Sequence, residues 1–151
     1  MKARITFALA ALAVVVSLRA QPLFEHGDVI VSAAGSTGDS TFLSRLLVYS
    51  GPGQVREIAT SDTSSFRESL FRDGVLYVAR RDGIDRFDSI GAALPEFSSI
   101  FNPTYLSPAL NGDVVASDGS GLLYRLNPNG SIRARRDTVI NNDPRARGVG
   151  L

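Results

Sequence analysis

The chain has 151 residues, with 16 basic and 15 acidic side chains and a formal net charge of +1. It contains no cysteine, which excludes disulfide bonds, thiol nucleophiles and thiolate metal sites. Its one lysine is Lys2, so the rest of the chain cannot perform Schiff-base chemistry.

Residues 1–20 have the layout of a secretory signal peptide. Lys2 and Arg4 are followed by an uncharged apolar run of 14 residues, from Ile5 to Leu18, and Ala20 precedes the expected cleavage point. We expect residues 5–18 to be helical and the protein to be secreted or periplasmic, since a membrane-spanning helix needs roughly 18 apolar residues or more. Cleavage leaves 13 basic against 15 acidic residues, a net charge of −2. Because the mature chain is not basic, we expect it to bind no nucleic acid. Because cleavage removes the apolar run, we expect no membrane span in the mature chain.

A valine-rich segment recurs three times, as GDVIVS (27–32), GVLYVA (74–79) and GDVVAS (112–117). A second glycine follows in each unit, at Gly53, Gly91 and Gly130. Gly74 lies 21 positions after Gly53, and Gly112 lies 21 positions after Gly91. Such a fixed register predicts repeated supersecondary units that bury their apolar faces by stacking on one another.

Each unit divides into four short strands with alternating apolar residues. Strand b is the valine-rich segment, and the other predicted strands are a (22–26, 69–73 and 108–111), c (42–50, 84–88 and 122–126) and d (55–60, 92–97 and 131–137). No segment after residue 20 keeps a helical period over three turns. The sequence therefore predicts an all-β chain.

The connections between the strands carry turn residues. Asp73-Gly74 and Asn111-Gly112 are dipeptides favoured in type I′ turns, where both central residues have positive φ. His26, the only histidine, holds the same place in the first unit, and we interpret it as a turn residue rather than a catalytic base or ligand. The first unit is longer between strands b and c, where SAAGSTGDSTF (32–42) predicts a mobile surface loop.

The segments RDGVLYVARRDGIDRFDSIG (72–91) and NGDVVASDGSGLLYRLNPNG (111–130) resemble blades of the NHL, gluconolactonase-like and streptogramin-lyase-like β-propellers. The resemblance extends over nearly all of residues 21–151. It implies about three four-stranded antiparallel blades, at 22–60, 66–98 and 105–137, with strand a innermost and the start of a fourth blade at 145–151. Because propellers usually close with roughly four to eight blades, we expect an incomplete propeller, most simply a fragment.

Two classes of function follow from this resemblance. The first is a non-catalytic exported scaffold that binds a protein or a small molecule and needs no cofactor. The second is a fragment of a metal-dependent lactonase or lyase of the gluconolactonase or streptogramin-lyase type, with Ca²⁺ or Mg²⁺ held by oxygen ligands once the propeller is completed. The sequence has no Gly-x-Ser-x-Gly nucleophile elbow and offers no catalytic residue or full ligand set, which favours the scaffold.

In this topology the b–c and d–a connections share one side of the disc, here called the loop face, where binding normally resides. Candidate ligand contacts on it are Asp39, Arg80, Arg81, Asp82, Asn102 and Asp118. Arg80 and Arg81 together could clamp a carboxylate or phosphate. The arginines of 133–136 lie on an outermost strand and are expected to face water, which is no nucleic-acid signal.

Strands a and b should be the most buried, because neighbouring blades cover both of their faces. The residues expected to lead this core are Val29, Val31, Leu76, Val78, Val114 and Val115. An incomplete propeller also leaves an apolar blade face open at each end. We therefore expect self-association of the mature chain.

Overall fold

The computed structural model describes residue 24, residues 27–36 and residues 42–137. Within these residues the chain forms eleven β-strands, and Leu110–Gly112 forms a tight turn with positive φ at Asn111 and Gly112. The predicted signal helix, the start of a fourth blade at 145–151, His26 and Asp39 lie outside the described residues.

The strands form three antiparallel sheets in which spatial order follows chain order. The first sheet holds β1 (Val29–Ser36), β2 (Phe42–Tyr49) and β3 (Val55–Ser61). The second holds β4 (Phe66–Arg72), β5 (Val75–Arg80), β6 (Gly83–Phe87) and β7 (Ala93–Ser98). The third holds β8 (Pro103–Pro108), β9 (Val114–Asp118), β10 (Leu122–Leu126) and β11 (Ile132–Asp137). The predicted all-β array of about three propeller-like blades is confirmed.

The first strand differs most from the prediction in the second unit, where it begins at Phe66 rather than 69, and in the third unit. Residues 22–26 lie outside the description apart from Phe24, which is buried with its ring 5.2 Å from that of Phe71. In the third unit the strand is β8, at 103–108 rather than 108–111, because residues 110–113 form the turn into β9. β8 is an edge strand, which is where a sheet tolerates the prolines at its two ends.

Both predicted type I′ turns are present. Asp73 and Gly74 have φ of 51° and 76° and join β4 to β5, with Arg72 paired to Val75. Asn111 and Gly112 have φ of 62° and 80° and form the centre of the turn from β8 to β9. These turns fix the register of the strands that they join.

The turn from β10 to β11 docks onto the second sheet. Gly130 has φ of 84° and donates its N–H to the Asn127 carbonyl at 2.8 Å. A Cβ atom at this position would overlap the carbonyl group of Phe97, at the end of β7. Glycine is therefore required here both by backbone conformation and by the close approach of the neighbouring sheet.

Strand β5 lies between two buried clusters and contributes to each. Leu76 and Val78 belong to the cluster between the first and second sheets, whose other members are Phe24, Leu46, Val48, Phe66 and Phe87. Ala79 belongs to the cluster between the second and third sheets, and Tyr77 packs against it. The other members of this cluster are Ile84, Phe97, Ile100, Leu106, Val114, Ala116, Tyr124 and Leu126. Alternate residues of one strand thus face the preceding and the following sheet.

This alternation explains which burial predictions are right. Leu76, Val78 and Val114 are almost fully buried, as expected. Val29 is instead 57% exposed and Val31 half-buried, because they hold the positions of Leu76 and Val78 in a sheet that no described sheet precedes. Val115 is also only half-buried, since it holds the position of Tyr77 and faces away from the second sheet.

The insertion in the first unit is largely strand rather than loop. β1 runs on to Ser36 and pairs with β2, with Ser32 opposite Leu46 and Ser36 opposite Phe42. The prediction of a surface loop over 32–42 was wrong for 32–36, because a polar Gly- and Ser-containing segment can still complete the backbone hydrogen bonds of a hairpin. The extended hairpin brings Phe42 to the loop face.

An acidic residue at the start of strand b binds an arginine of strand d in two of the sheets. Asp28 lies 3.8 Å from Arg56, and the fully buried Asp113 accepts a 2.8 Å hydrogen bond from Arg133 Nη1. Arg133 stays exposed on the outer strand, as expected, and in addition binds this buried carboxylate. In the second sheet the position of the acidic residue holds Val75 and that of the arginine holds Leu94, so both members of the ion pair are replaced by apolar residues.

Candidate functional site

A groove of about 530 Å³ opens on the loop face, between residues contributed by or adjoining all three sheets. It is lined by Phe42, Thr63, Ser64, Ser65, Arg67, Arg81, Phe101 and Asn102. They come from the start of β2, the β3–β4 loop, the start of β4, the β5–β6 turn and the β7–β8 loop. Small-molecule sites typically occupy about 300–1,000 Å³, so the groove is large enough for a ligand.

Arg81 stands in the two-residue turn between β5 and β6, where Arg80 pairs with Gly83. Its backbone N–H donates to Ser64 Oγ at 3.0 Å, and its carbonyl accepts from the Asn102 N–H at 2.6 Å. Ser64 is almost fully buried. The β3–β4 and β7–β8 loops therefore hold both peptide groups of Arg81 in place.

The β3–β4 loop is organised by its own side chains. Ser61, at the end of β3, accepts hydrogen bonds at its Oγ from the Ser64 N–H at 3.0 Å and the Thr63 N–H at 3.4 Å. Serine commonly closes tight turns in this way. The loop presents the Ser64 hydroxyl to Arg81 from a fixed position.

Arg67 and Asn102 connect the second and third sheets across the groove. Arg67 Nη1 donates to Asn102 Oδ1 at 2.6 Å, and the Arg67 carbonyl accepts from Ser32 Oγ of the first sheet at 3.1 Å. Asn102 has φ of 60°, a left-handed conformation that asparagine tolerates better than most residues. All three sheets thus contribute contacts that hold the groove together.

The groove carries positive charge. Of the described residues that line it, two are arginines and none is an aspartate or glutamate. The Arg81 guanidinium has no hydrogen bond or ion pair within the described part of the chain, and Phe101, which also lines the groove, is 63% exposed. Among the described residues, the lining therefore offers a cation without a partner and an exposed aromatic surface.

Of the residues singled out in the sequence, Arg81 and Asn102 line the groove and Arg80 does not. Arg80 Nε donates to Asp85 Oδ1 at 2.9 Å, and its other nitrogens lie 3.6 Å from Glu96 and 3.9 Å from Asp82. Arg80 is therefore occupied by three carboxylates. The structure does not bring the expected Arg80–Arg81 clamp together.

Asp118 holds the β9–β10 turn. Its Oδ1 accepts from the Ser120 hydroxyl at 2.7 Å, the Ser120 N–H at 2.9 Å and the Leu122 N–H at 3.0 Å. Burial on its own would raise the pKa of Asp118, but these hydrogen bonds, led by that of the Ser120 hydroxyl and joined by a weaker one from Tyr124, lower the pKa below its ordinary value. Its role in the described structure is to close a turn, and a ligand contact there stays a prediction.

Sequence reasoning missed Arg67, Phe42 and Phe101. The β3–β4 and β7–β8 loops were placed on the loop face, but the first strand of the second unit was expected to begin at 69 rather than 66. A signal was available in Phe66-Arg67, where an apolar and a charged residue directly follow a polar loop. Such alternation is typical of the start of a half-buried strand.

The described residues contain no group of three or more His, Cys, Asp and Glu side chains placed to hold a metal ion. Within the same residues no helix is long and apolar enough to cross a membrane.

Two solved structures with a similar fold support the propeller-like architecture. The computationally designed Ika8 protein matches with a TM-score of 0.54 and 19% identity, over 77% of this chain and 35% of its own. The C-terminal WD40 domain of Sif2 matches with a TM-score of 0.51 and 12% identity, over 72% of this chain and 33% of its own. This chain thus spans about a third of each, and at such identities the likeness shows the fold alone.

No family model matches the sequence, and no curated protein matches it. The resemblance to NHL, gluconolactonase-like and streptogramin-lyase-like blades is therefore supported as a propeller-like fold, and the particular family stays a prediction.

Proposed function

We propose that this chain belongs to an exported, non-catalytic β-propeller that binds a protein or small-molecule ligand in the loop-face groove. The observation that carries the proposal is the construction around Arg81. Both of its peptide groups are fixed by neighbouring loops, whereas its guanidinium has no partner within the described residues.

This construction favours binding because the groove is already formed. Ligand association costs less when the groups that receive the ligand need little ordering. The Arg67–Asn102 hydrogen bond and the buried Ser64 hold these parts of the lining in place, so they need little ordering when a ligand binds. Phe101 and Phe42 add exposed aromatic area, which contributes strongly where it becomes buried on binding.

The proposal can be tested with a chemically mixed fragment library of acids, amines, neutral amides and apolar aromatics. Binding to the ¹⁵N-labelled chain would be followed through its backbone amide resonances. We expect the ligand-induced shifts to concentrate at residues 63–67, 81–82 and 101–102. Fragments whose shifts gather elsewhere, or a library with no hit in the groove, would contradict the proposal.

A matched pair of variants locates the binding. Ser65→Trp places a large ring in the groove and should abolish the shifts, whereas Gln54→Trp adds the same ring on the c–d turn of the first sheet and should preserve them. The dispersion of each variant's spectrum verifies that it is folded. Equal loss of binding in both folded variants would count against the groove.

Two further experiments address export and the alternative enzyme class. The N-terminal sequence of the exported protein should begin within a few residues of Gln21, and an intact Met1 would contradict export through this signal.

Calorimetric titration with Ca²⁺ or Mg²⁺ should give no stoichiometric heat if the protein is a scaffold. Tight stoichiometric binding would instead favour the metal-dependent lactonase or lyase.

A further inference from the structure

Among the described lining residues, the two arginines supply many hydrogen-bond donors that no protein acceptor uses. A guanidinium carries five N–H donors and keeps its charge at all relevant pH values. Arg81 uses none of its five within the described residues, and Arg67 uses one nitrogen on Asn102 Oδ1. That amide oxygen, an acceptor of the groove, is therefore already occupied. A ligand that satisfies such a lining must supply acceptors and negative charge.

The arginines of the second sheet that lie outside the groove, Arg72, Arg80 and Arg86, each donate a hydrogen bond to a described residue. Arg80 is matched by Asp85, Glu96 and Asp82. Arg72 donates to Asp73 and to the carbonyl of Asp113. Asp82, which follows Arg81 in the same turn, lies against Arg80, and no ion pair joins it to Arg81 within the described residues.

We propose, on the premise that the groove is the ligand site, that it binds an anionic group attached to an aromatic or apolar body. The anionic group is a carboxylate or a phosphate ester, because either one presents acceptors that a planar guanidinium can engage through two hydrogen bonds. Arg81 holds the anion, with Arg67 of β4 adding a second positive charge to the lining. The apolar body lies against Phe101 and Phe42.

Three probes that share a phenyl ring separate charge from apolar contact: phenyl phosphate, phenylacetate and the neutral phenylacetamide. Each probe is titrated into the ¹⁵N-labelled full chain at one fixed ionic strength, and binding is followed through the backbone amide resonances of the groove residues. We expect both anions to bind in the groove with a Kd at least tenfold lower than that of the amide. Tighter binding of phenyl phosphate identifies a phosphate ester as the better ligand, and tighter binding of phenylacetate identifies a carboxylate.

The matched variants are Arg81→Gln and Arg136→Gln, which remove the same charge at the groove and on the exposed outer strand β11. Arg81→Gln should weaken both anions at least tenfold and leave phenylacetamide unchanged, whereas Arg136→Gln should stay within twofold of the parent. Equal binding of amide and anions, or equal weakening by the two variants, overturns the inference and leaves the groove as a binding site. If neither the three probes nor the mixed library shifts the backbone amide resonances of the groove residues, the proposed function is overturned as well.

Discussion

Single residues in this chain are constrained chiefly where two sheets approach each other. Gly130 and Gly53 illustrate the difference, because they hold equivalent places in the c–d turns and have similar φ, 84° and 76°. A side chain at Gly53 would meet open space, whereas one at Gly130 would overlap the Phe97 carbonyl. The same residue type is thus required for conformation alone at one site and for conformation plus packing at the other.

We therefore expect Gly130→Ala to destabilise the chain considerably more than Gly53→Ala. The left-handed conformation costs a non-glycine residue about 1–2 kcal/mol, which both variants incur. Gly130→Ala must also displace the second sheet, for a total of about 3 kcal/mol or more. Urea unfolding of both variants measures the difference, and equal losses would show that the close approach carries no energetic weight.

The pair formed by the buried Asp113 and the half-exposed Arg133 has a natural apolar counterpart in Val75 and Leu94. Removing one partner of a buried ion pair typically costs about 3–5 kcal/mol, whereas replacing both with apolar residues is often tolerated. Asp113 also accepts from Arg125 Nε at 2.6 Å, so one arginine remains when Arg133 is lost.

A double-mutant cycle tests this counterpart. Asp113→Val should be strongly destabilising and Arg133→Leu moderately so, because the former leaves two arginines without their carboxylate. The double variant should be more stable than the sum of the single losses predicts, by about 1–2 kcal/mol. Strict additivity in denaturant unfolding would mean that the two positions do not act as a pair.

At the scale of the element, the turns decide how the strands are positioned. The β9–β10 turn depends on the ionised Asp118, whose lowered pKa favours the folded state when the group is charged. Because the folded pKa lies below the unfolded value of about 3.9, the stabilisation is full above that value and is lost as pH falls through the folded pKa.

Asp118→Asn should accordingly lower the free energy of unfolding near neutral pH, and the difference from the parent should shrink below about pH 4. Unfolding free energies measured from pH 6 to pH 2 give both curves. A gap that stays constant over this range would show that the charge of Asp118 is not what stabilises the turn.

Strands and turns with a local signature could be predicted from the sequence, whereas features set by tertiary contacts could not. The dipeptides Asp73-Gly74 and Asn111-Gly112 specify their hairpins because few other residues accept positive φ. The extension of β1 over Ala33 to Ser36 depends on its partner β2 and has no strand-like composition of its own. In the candidate site, Arg81 followed from its place in a b–c turn, but the Arg67–Asn102 contact joins residues 35 apart and has no local signal.

At the scale of the whole molecule, the two end sheets differ from the middle one. The second sheet is covered on both sides, whereas the outer side of the first sheet exposes Val29, Tyr49 and Val55, which stand opposite one another on β1, β2 and β3. Their exposed fractions are 57%, 39% and 48%. Such a contiguous apolar surface promotes association.

We expect the purified mature chain to self-associate at micromolar concentration, and the double variant Val29→Thr/Val55→Thr to associate less. Threonine keeps the β-branched shape while making the face more polar. Light scattering and sedimentation report the mass of each. A parent chain that remains a cooperatively folding monomer would show that the end faces are covered in another way.

The alternation of β5 between a backward and a forward cluster gives every unit a direction. Each sheet offers one kind of face to its predecessor and a different kind to its successor, as Leu76 and Val78 do on one side and Tyr77 and Ala79 on the other. An in-frame duplication of one repeat would therefore place the backward face of the copy against the forward face of its parent, which are the two kinds of face that meet in the existing contacts between sheets. The number of repeats in such a chain can therefore change without requiring a new kind of interface between sheets.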